Sequence, residues 1–410
     1  MKKILFLSLC SYDSIAIRDI YTDLLREMTK YGHYVVIASP LEKKYKRKPK
    51  LIKEENSEIV EILIDNYFNV GSIKKGLSLL TIDKKFKKVL SQKYKEFHFD
   101  MVLYATPPIM FINTIKYFKS KGAFTYLMLK DIFPQNAVDI GLMRKTGLKG
   151  LLYKFFRKQE KRLYAISDKI GCMSPANVEY VLEHNNEIDK NKVEVFPNCI
   201  DVQIICLTDE EKKQIRIKYE LPLDKKIFVY GGNLGKPQGI QFVIECLEAE
   251  KDNDNAFFLI VGSGTEYSTL EQYSNKMKQA NFKLLKRLPT IEFDRLLASC
   301  DVGLLFLDHR FTIPNFPSRL LSYLQAGLPV LACTDVITDI GRIIVDGHFG
   351  WWCESNNPKL FVELVDEIIL ERTNDKSLYS KEYLNSNFST RNCCKKILVF
   401  LDSIPVENYD

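Results

Sequence analysis

Ser318 and Arg319 stand where a polar loop, residues 312–317, gives way to an apolar-periodic segment, and this pairing suits an anion. Leu320, Leu321 and Leu324 recur at helical spacing, Gly327 ends the run, and residues 330–332 read as a buried strand. Pro317 fits a first helical turn, where its missing N–H costs nothing. A helix start offers free N–H groups and the positive dipole end. With the Ser318 hydroxyl and the Arg319 guanidinium added, a phosphate or diphosphate is the natural ligand. An ordinary capped helix in an α/β domain carries the same pattern.

Two glycine turns point the same way. Residues 231–239 hold Gly231, Gly232, Gly235 and Gly239, with Asn233, Lys236 and Gln238 between them. They follow an apolar strand and precede a helix, so backbone can approach a ligand closely while Lys236 neutralises phosphate charge. The turn matches neither the Walker pattern nor the full dinucleotide fingerprint. Gly262 and Gly264, followed by Glu266, form a second such turn. In a parallel sheet both turns fall at the carboxyl edge, where ligands bind. Earlier, Asp131 follows a strand directly and serves there either as a polar or acid/base group or as a helix cap. Residues 144–163 combine Lys149, Lys154, Arg157 and Lys158 with Leu152, Phe155 and Phe156. A basic, aromatic, amphipathic helix of this kind suits an anionic membrane surface, and a core helix with a solvated basic face looks the same. No nucleic-acid recognition motif accompanies the charge.

The elements that must position these residues alternate. Strands are expected at 4–9, 34–38, 101–105, 124–129, 170–173 and 193–196, with helices between them, the first over 17–30. Residues 40–61 are charged and read as a long surface excursion. The pattern breaks at 197–201, and a second series begins at 226–230, continuing at 257–261, 282–285, 302–306 and 330–332. The expectation is an α/β protein of two doubly wound, Rossmann-like domains facing a cleft. Their bounds are 1–204 and 205–380, with a C-terminal helical segment, 381–410, returning to the first domain.

The 410 residues exceed one ordinary core. A hydrophobic fraction of 46% with 27% charged residues excludes a disordered chain. No apolar run approaches the roughly 20 residues that span a bilayer. The N-terminal apolar run is short and soon followed by Asp13, Arg18 and Asp19, so it reads as a buried strand rather than a signal peptide. Ten cysteines without paired metal spacing suggest reduced thiols in the cytoplasm. The net charge of +7 is modest.

Taken together, residues 31–35, 130–142, 197–201, 231–239, 262–264 and 317–329 resemble, in order, a family 4 glycosyltransferase of the GT-B fold. The likeness is to bacterial enzymes building capsule, O-antigen or exopolysaccharide units. It implies a retaining, metal-independent hexosyl- or N-acetylhexosaminyl-transferase, with an acceptor-binding first domain and a donor-binding second domain. The donor is a nucleotide-diphosphate sugar, UDP-sugars favoured, and no further cofactor is implied. The acceptor is a glycan, commonly lipid-diphosphate-linked, and the enzyme would sit peripherally on the inner membrane face. Lys236 and Arg319 would stabilise the leaving phosphate, with Asp131 substituting for a histidine often found facing the donor sugar. Donor contacts would come from Gly232, Asn233, Gln238, Gly262, Gly264, Glu266, Arg287, Leu288, Asn315, Phe316, Ser318 and Ser322. The chain departs from the family where it carries Pro314 and Ser322 at the positions of two glutamates, the second a ribose ligand. Asn233 and Gln238 replace an Arg and Lys pair, and the paired glycines of the first N-terminal loop are missing from 8–16. A nucleotide-sugar 2-epimerase of the same fold, or a non-catalytic partner of another transferase, are the alternatives.

Overall fold

The computed structural model describes residues 1–67, 72–203, 205–277 and 280–403, with the backbone alone for 72–80, 148 and 149. The chain divides into two compact units, one formed by Met1–Asp201 together with the chain from Ser389, the other by Val202–Phe388. The break thus precedes residue 204, which lies outside the described residues.

The first unit is built on eight strands: β1 (Lys3–Leu7), β2 (Tyr34–Glu42), β3 (Leu51–Glu54), β4 (Ser57–Ile64), β5 (Met101–Ala105), β6 (Phe124–Leu129), β7 (Lys169–Cys172) and β8 (Val193–Val195). Their order is β3-β4-β2-β1-β5-β6-β7-β8, parallel throughout except for β3. In β1, Ile4, Leu5, Phe6 and Leu7 are all at most 1% exposed. Such an unbroken apolar run is what a parallel strand covered on both faces requires. The helix Ile20–Lys30 starts at Asp19, whose carboxylate accepts from the N–H groups of Tyr21 and Thr22, and it buries Leu24, Leu25 and Met28.

Residues 40–61 are not the surface excursion expected from their charge. β2 runs on to Glu42, and β3 and β4 form an antiparallel ribbon at the sheet edge. The carboxylates find partners locally: Glu61 is paired with Arg47, and Glu58 accepts from the Tyr94 hydroxyl. Ile59, Ile62 and Ile64 then pack as a strand.

The second unit carries six parallel strands: β9 (Lys226–Asn233), β10 (Ala256–Ser263), β11 (Phe282–Lys286), β12 (Val302–Phe306), β13 (Val330–Thr334) and β14 (Gly350–Glu354). They lie in the order β11-β10-β9-β12-β13-β14. The order reverses between β9 and β12, where Val302 lies beside Phe228 and Gly303 beside Val229. A crevice outside the carboxyl ends of the strands opens at such a switch point.

The single C-terminal helical segment expected from residue 381 is two helices. Asn374–Asn387 belongs to the second unit, where the Ser380 hydroxyl donates to the Leu328 carbonyl at 3.0 Å. Thr390–Asp402 belongs to the first unit, where Cys393, Cys394, Ile397 and Leu401 join the core with Leu24, Leu25 and Met28. Ser389 separates them by capping the second helix.

Candidate functional site

At the carboxyl ends of β9 and β10 the backbone is bare and tightly stitched. A Cβ on Gly262 would sit 2.2 Å from the Gly232 carbonyl oxygen, and one on Gly264 equally close to that of Leu234. The Leu234 N–H donates to the Ser263 carbonyl at 2.9 Å, and the Glu266 N–H donates to the Leu234 carbonyl at 2.9 Å. The glycines therefore let the two turns touch. They also leave a cavity of about 320 Å³ lined by Gly232, Asn233, Val261, Gly262, Ser263, Arg287, Leu288, Thr290, Phe293, Asp294, Arg319 and Ser322.

Arg319 opens the seven-residue helix Arg319–Gln325. Its guanidinium carbon lies over the Phe293 ring, 5.1 Å from the centroid, and its Nε is buried with no hydrogen-bond partner. One terminal nitrogen lies 3.5 Å from the Ser322 hydroxyl. No carboxylate pairs with Arg319 among the described residues, so its charge is available to an anion. Tyr323 fixes the helix to the sheet: its hydroxyl accepts from the Gly231 N–H at 3.0 Å and donates to the Leu304 carbonyl at 2.9 Å. A Cβ at Gly231 would lie 2.0 Å from the Phe293 ring, so any larger residue here would have to displace that ring.

Of the residues singled out in the sequence, Gly232, Asn233, Gly262, Arg287, Leu288, Arg319 and Ser322 come together around this cavity. Others do not line it. Lys236 is exposed on the single turn Lys236–Gln238. Gln238 is used inside that turn, its side-chain oxygen accepting from the Gly235 N–H at 3.0 Å. Gly264 serves the turn-to-turn contact and Glu266 continues it. Ser318 is exposed just before the helix. The Asn315 N–H donates to Thr338 at 3.1 Å, and Phe316 packs on Phe388. Thr290, Phe293 and Asp294 were not singled out. Their signal was a strand, Leu288-Pro289, and a short amphipathic helix, which places a first turn beside the glycine loops.

In the first unit, Asp131 is exposed just past the end of β6, held by a hydrogen bond from the Thr106 hydroxyl to its carbonyl at 3.2 Å. It does not cap the following helix Gln135–Asp139, whose N-cap is Pro134.

The basic helix spans Gly147–Ile166. Phe156 and Arg157 turn away from its exposed face, contrary to the sequence expectation. Phe156 packs 5.1 Å from Phe133, and Arg157 donates to Glu160, to the His184 carbonyl at 2.9 Å and to Asn185 at 2.7 Å. A helical repeat of 3.6 residues instead sets Leu151, Lys154, Phe155, Lys158 and Arg162 together outward, with Leu152 beside them. Leu151 is 65% exposed and Leu152 49%. The Lys149 side chain lies outside the described residues. No helix among the described residues is long and apolar enough to cross a membrane.

Two Rossmann-like units, the second with a cavity at the carboxyl ends of its strands, define a GT-B fold. Among solved structures, Anabaena HepE in complex with UDP and glucose aligns with a TM-score of 0.71 at 13% identity, covering 98% of this chain and 100% of that one. The model for Glycosyltransferase Family 4 matches residues 20–225, and that for Glycosyl transferases group 1 matches residues 211–384. The chain belongs to glycosyltransferase family 4. Curated relatives include the probable glycosyltransferase WbjE of Pseudomonas aeruginosa, 26% identical over 66% of each chain. Another is the putative colanic acid biosynthesis glycosyl transferase WcaI of Escherichia coli K12, 25% identical over 55% of this chain and 54% of its own. The matches span just under two thirds of the first relative's length and about half of the second's.

Proposed function

We propose that this protein is a retaining glycosyltransferase of bacterial surface polysaccharide synthesis, moving a hexosyl or N-acetylhexosaminyl group from a nucleotide-diphosphate sugar to a glycan acceptor. The observation that carries this is the second unit's cavity, where the unpaired Arg319 guanidinium meets the bare backbone of Gly232 and Gly262. The HepE complex with UDP supports a uridine nucleotide as the donor, and the WcaI name supports a polysaccharide product.

In this reading the diphosphate lies against Gly232, Gly262 and Arg319, and the nucleoside lies toward Arg287 and Leu288. The bond from the anomeric carbon to the leaving phosphate breaks as the acceptor oxygen bonds on the same face, and the acceptor proton passes to that phosphate. Arg319 offsets the charge that builds on the leaving group, a role a metal ion would otherwise take. Lys236, exposed on the neighbouring turn, adds positive charge at longer range. Asp131 is the polar or acid/base group of the first unit. The acceptor is lipid-diphosphate-linked, and the outward face of the helix Gly147–Ile166 holds the enzyme on the cytoplasmic membrane surface.

The test is turnover of a panel of UDP-hexoses and UDP-N-acetylhexosamines with lipid-linked and short soluble glycans, reading the product's anomeric configuration by NMR. Transfer with retention is expected. An isomerised sugar formed without any acceptor would identify a 2-epimerase, and donor binding without turnover a non-catalytic partner.

A further inference from the structure

Residues 43–50 put six cations into eight positions with no acid among them. They follow β2, which stays in register with β1 up to Ala38 beside Leu7 and then runs on with β4 to Glu42 beside Ile64. At about 3.3 Å per residue, the run therefore starts roughly 13 Å past the carboxyl end of β1. That is the edge of a parallel sheet where ligands bind.

The cations fall into two sets. Three are held by carboxylates: Lys43 by Asp65 at 2.7 Å, Lys44 by Glu42 at 2.7 Å, and Arg47 by the buried Glu61. These pairs fix the loop, together with the single turn Lys43–Tyr45 and the Lys44 N–H, which donates to Asn66 at 2.8 Å. The other three, Lys46, Lys48 and Lys50, are exposed, and no carboxylate among the described residues forms an ion pair with them. Lys46 holds a left-handed backbone, φ 49°, which glycine adopts without strain, so a lysine stands there at a conformational cost. Tyr45 is beside them, 57% exposed, with the Lys44 ammonium 5.3 Å from its ring centroid.

This composition selects among polyanions. The run has no aliphatic side chain to insert among acyl chains, so it lacks what a membrane anchor needs. One aromatic is too few for the successive stacked bases of a nucleic-acid groove. Closely spaced cations around one exposed ring match an acidic glycan instead: its carboxylates meet the ammonium groups while a sugar ring lies on the phenol face. We infer that Tyr45, Lys46, Lys48 and Lys50 bind an anionic glycan, and that the acceptor is a uronate-bearing oligosaccharide. The acceptor role rests on the reading of this chain as a glycan-transferring enzyme, which the donor cavity carries separately. Arg47 and Glu61 position the loop and leave the contact to the outer lysines.

The full chain is titrated calorimetrically at low salt with a hyaluronan octasaccharide, in which every second sugar is a glucuronate, and with a neutral malto-octasaccharide. Binding of hyaluronan alone is expected, weakening as salt rises. The variant Lys46→Gly/Lys48→Gln/Lys50→Gln should bind it about tenfold more weakly, as three lost exposed ion pairs imply. Its Tm should be unchanged or raised, and its UDP affinity unchanged. Tyr45→Ala should weaken hyaluronan binding without changing the salt dependence. Equal hyaluronan binding by the triple variant, or equal binding of the neutral glycan by wild type, would overturn the inference. So would wild-type protein that ignores hyaluronan yet binds phosphatidylglycerol vesicles through these three lysines. Wild-type protein that binds hyaluronan but not UDP would leave the glycan site standing and strike the donor reading instead.

Discussion

The Arg319 guanidinium carbon lies over the Phe293 ring, 5.1 Å from its centroid, with a buried Nε that no protein acceptor satisfies. An unpaired buried donor is costly, and an anionic ligand removes the cost. Arg319→Ala should therefore weaken UDP binding by about 1.5–3 kcal/mol, the worth of a charge-assisted hydrogen bond. Its folding stability should be unchanged or slightly higher. Calorimetric titration with UDP checks the first and thermal unfolding the second; wild-type affinity in the variant would remove Arg319 from the phosphate site.

The glycine turns are a packing device before they are a binding device. Gly262→Ala places a methyl 2.2 Å from the Gly232 carbonyl oxygen, a backbone atom that moves only if β9 and β10 part. Overpacking of this kind costs about 1–3 kcal/mol. Urea unfolding should report that loss, and UDP binding should fall with it because both strands line the cavity. Unchanged stability would mean the strands separate freely.

Much of this was legible because parallel strands buried on both faces are unbroken apolar runs: β1, β5, β6 and β12 stand where those runs are. The glycine spacing located Gly232 and Gly262, and the polar-to-apolar change located Arg319. Sequence misled where a charge meets its partner across space. Arg47 and Glu61 made β3 and β4 read as loop, and Arg157 read as a surface cation although His184 and Asn185 draw it inward. Phe293 and Tyr323 went unnoticed for another reason. An aromatic at helical spacing looks like core, and only the fold shows that one ring supports Arg319 while the other's hydroxyl joins β9 to β12.

Turnover should persist in excess chelator, since cations of the chain rather than a metal ion are proposed to offset the diphosphate charge. Activity lost in EDTA and restored by magnesium or manganese would replace Arg319 with a metal in that role.

Glu250 makes stability depend on pH. It is 1% exposed at the end of the helix Ile240–Ala249, with Oε1 unpartnered and Asn253 donating to Oε2 at 2.8 Å. Burial pushes its carboxyl from 4.5 up to about 7. The folded form thus holds a proton that the unfolded chain releases at lower pH. Its contribution is fully present below about 4.5 and is lost as pH rises through about 7. Glu250→Gln should raise stability at pH 8 by on the order of 2 kcal/mol and leave it nearly unchanged at pH 4.5. Equal effects at both pH values in urea unfolding would show that the carboxyl ionises freely in the fold.

The helix Gly147–Ile166 separates two kinds of cation, and membrane docking should depend on one kind alone. Lys154, Lys158 and Arg162 surround the outward Leu151 and Phe155, an arrangement that sets apolar side chains at the acyl boundary and charges among the headgroups. Each cation near an anionic surface contributes roughly 1 kcal/mol, so three give reversible, salt-sensitive docking. Wild-type protein should sediment with phosphatidylglycerol-containing vesicles at low salt and be released as salt rises. Replacing Lys154, Lys158 and Arg162 by glutamate should abolish that binding while activity on a soluble short acceptor is retained. Arg157→Glu should behave differently, because it leaves Glu160 buried without its partner and sets two carboxylates together. Its effect should appear as lost stability, by about 3–5 kcal/mol for a broken buried pair. Vesicle binding by the triple variant equal to wild type would leave these cations as an ordinary solvated face.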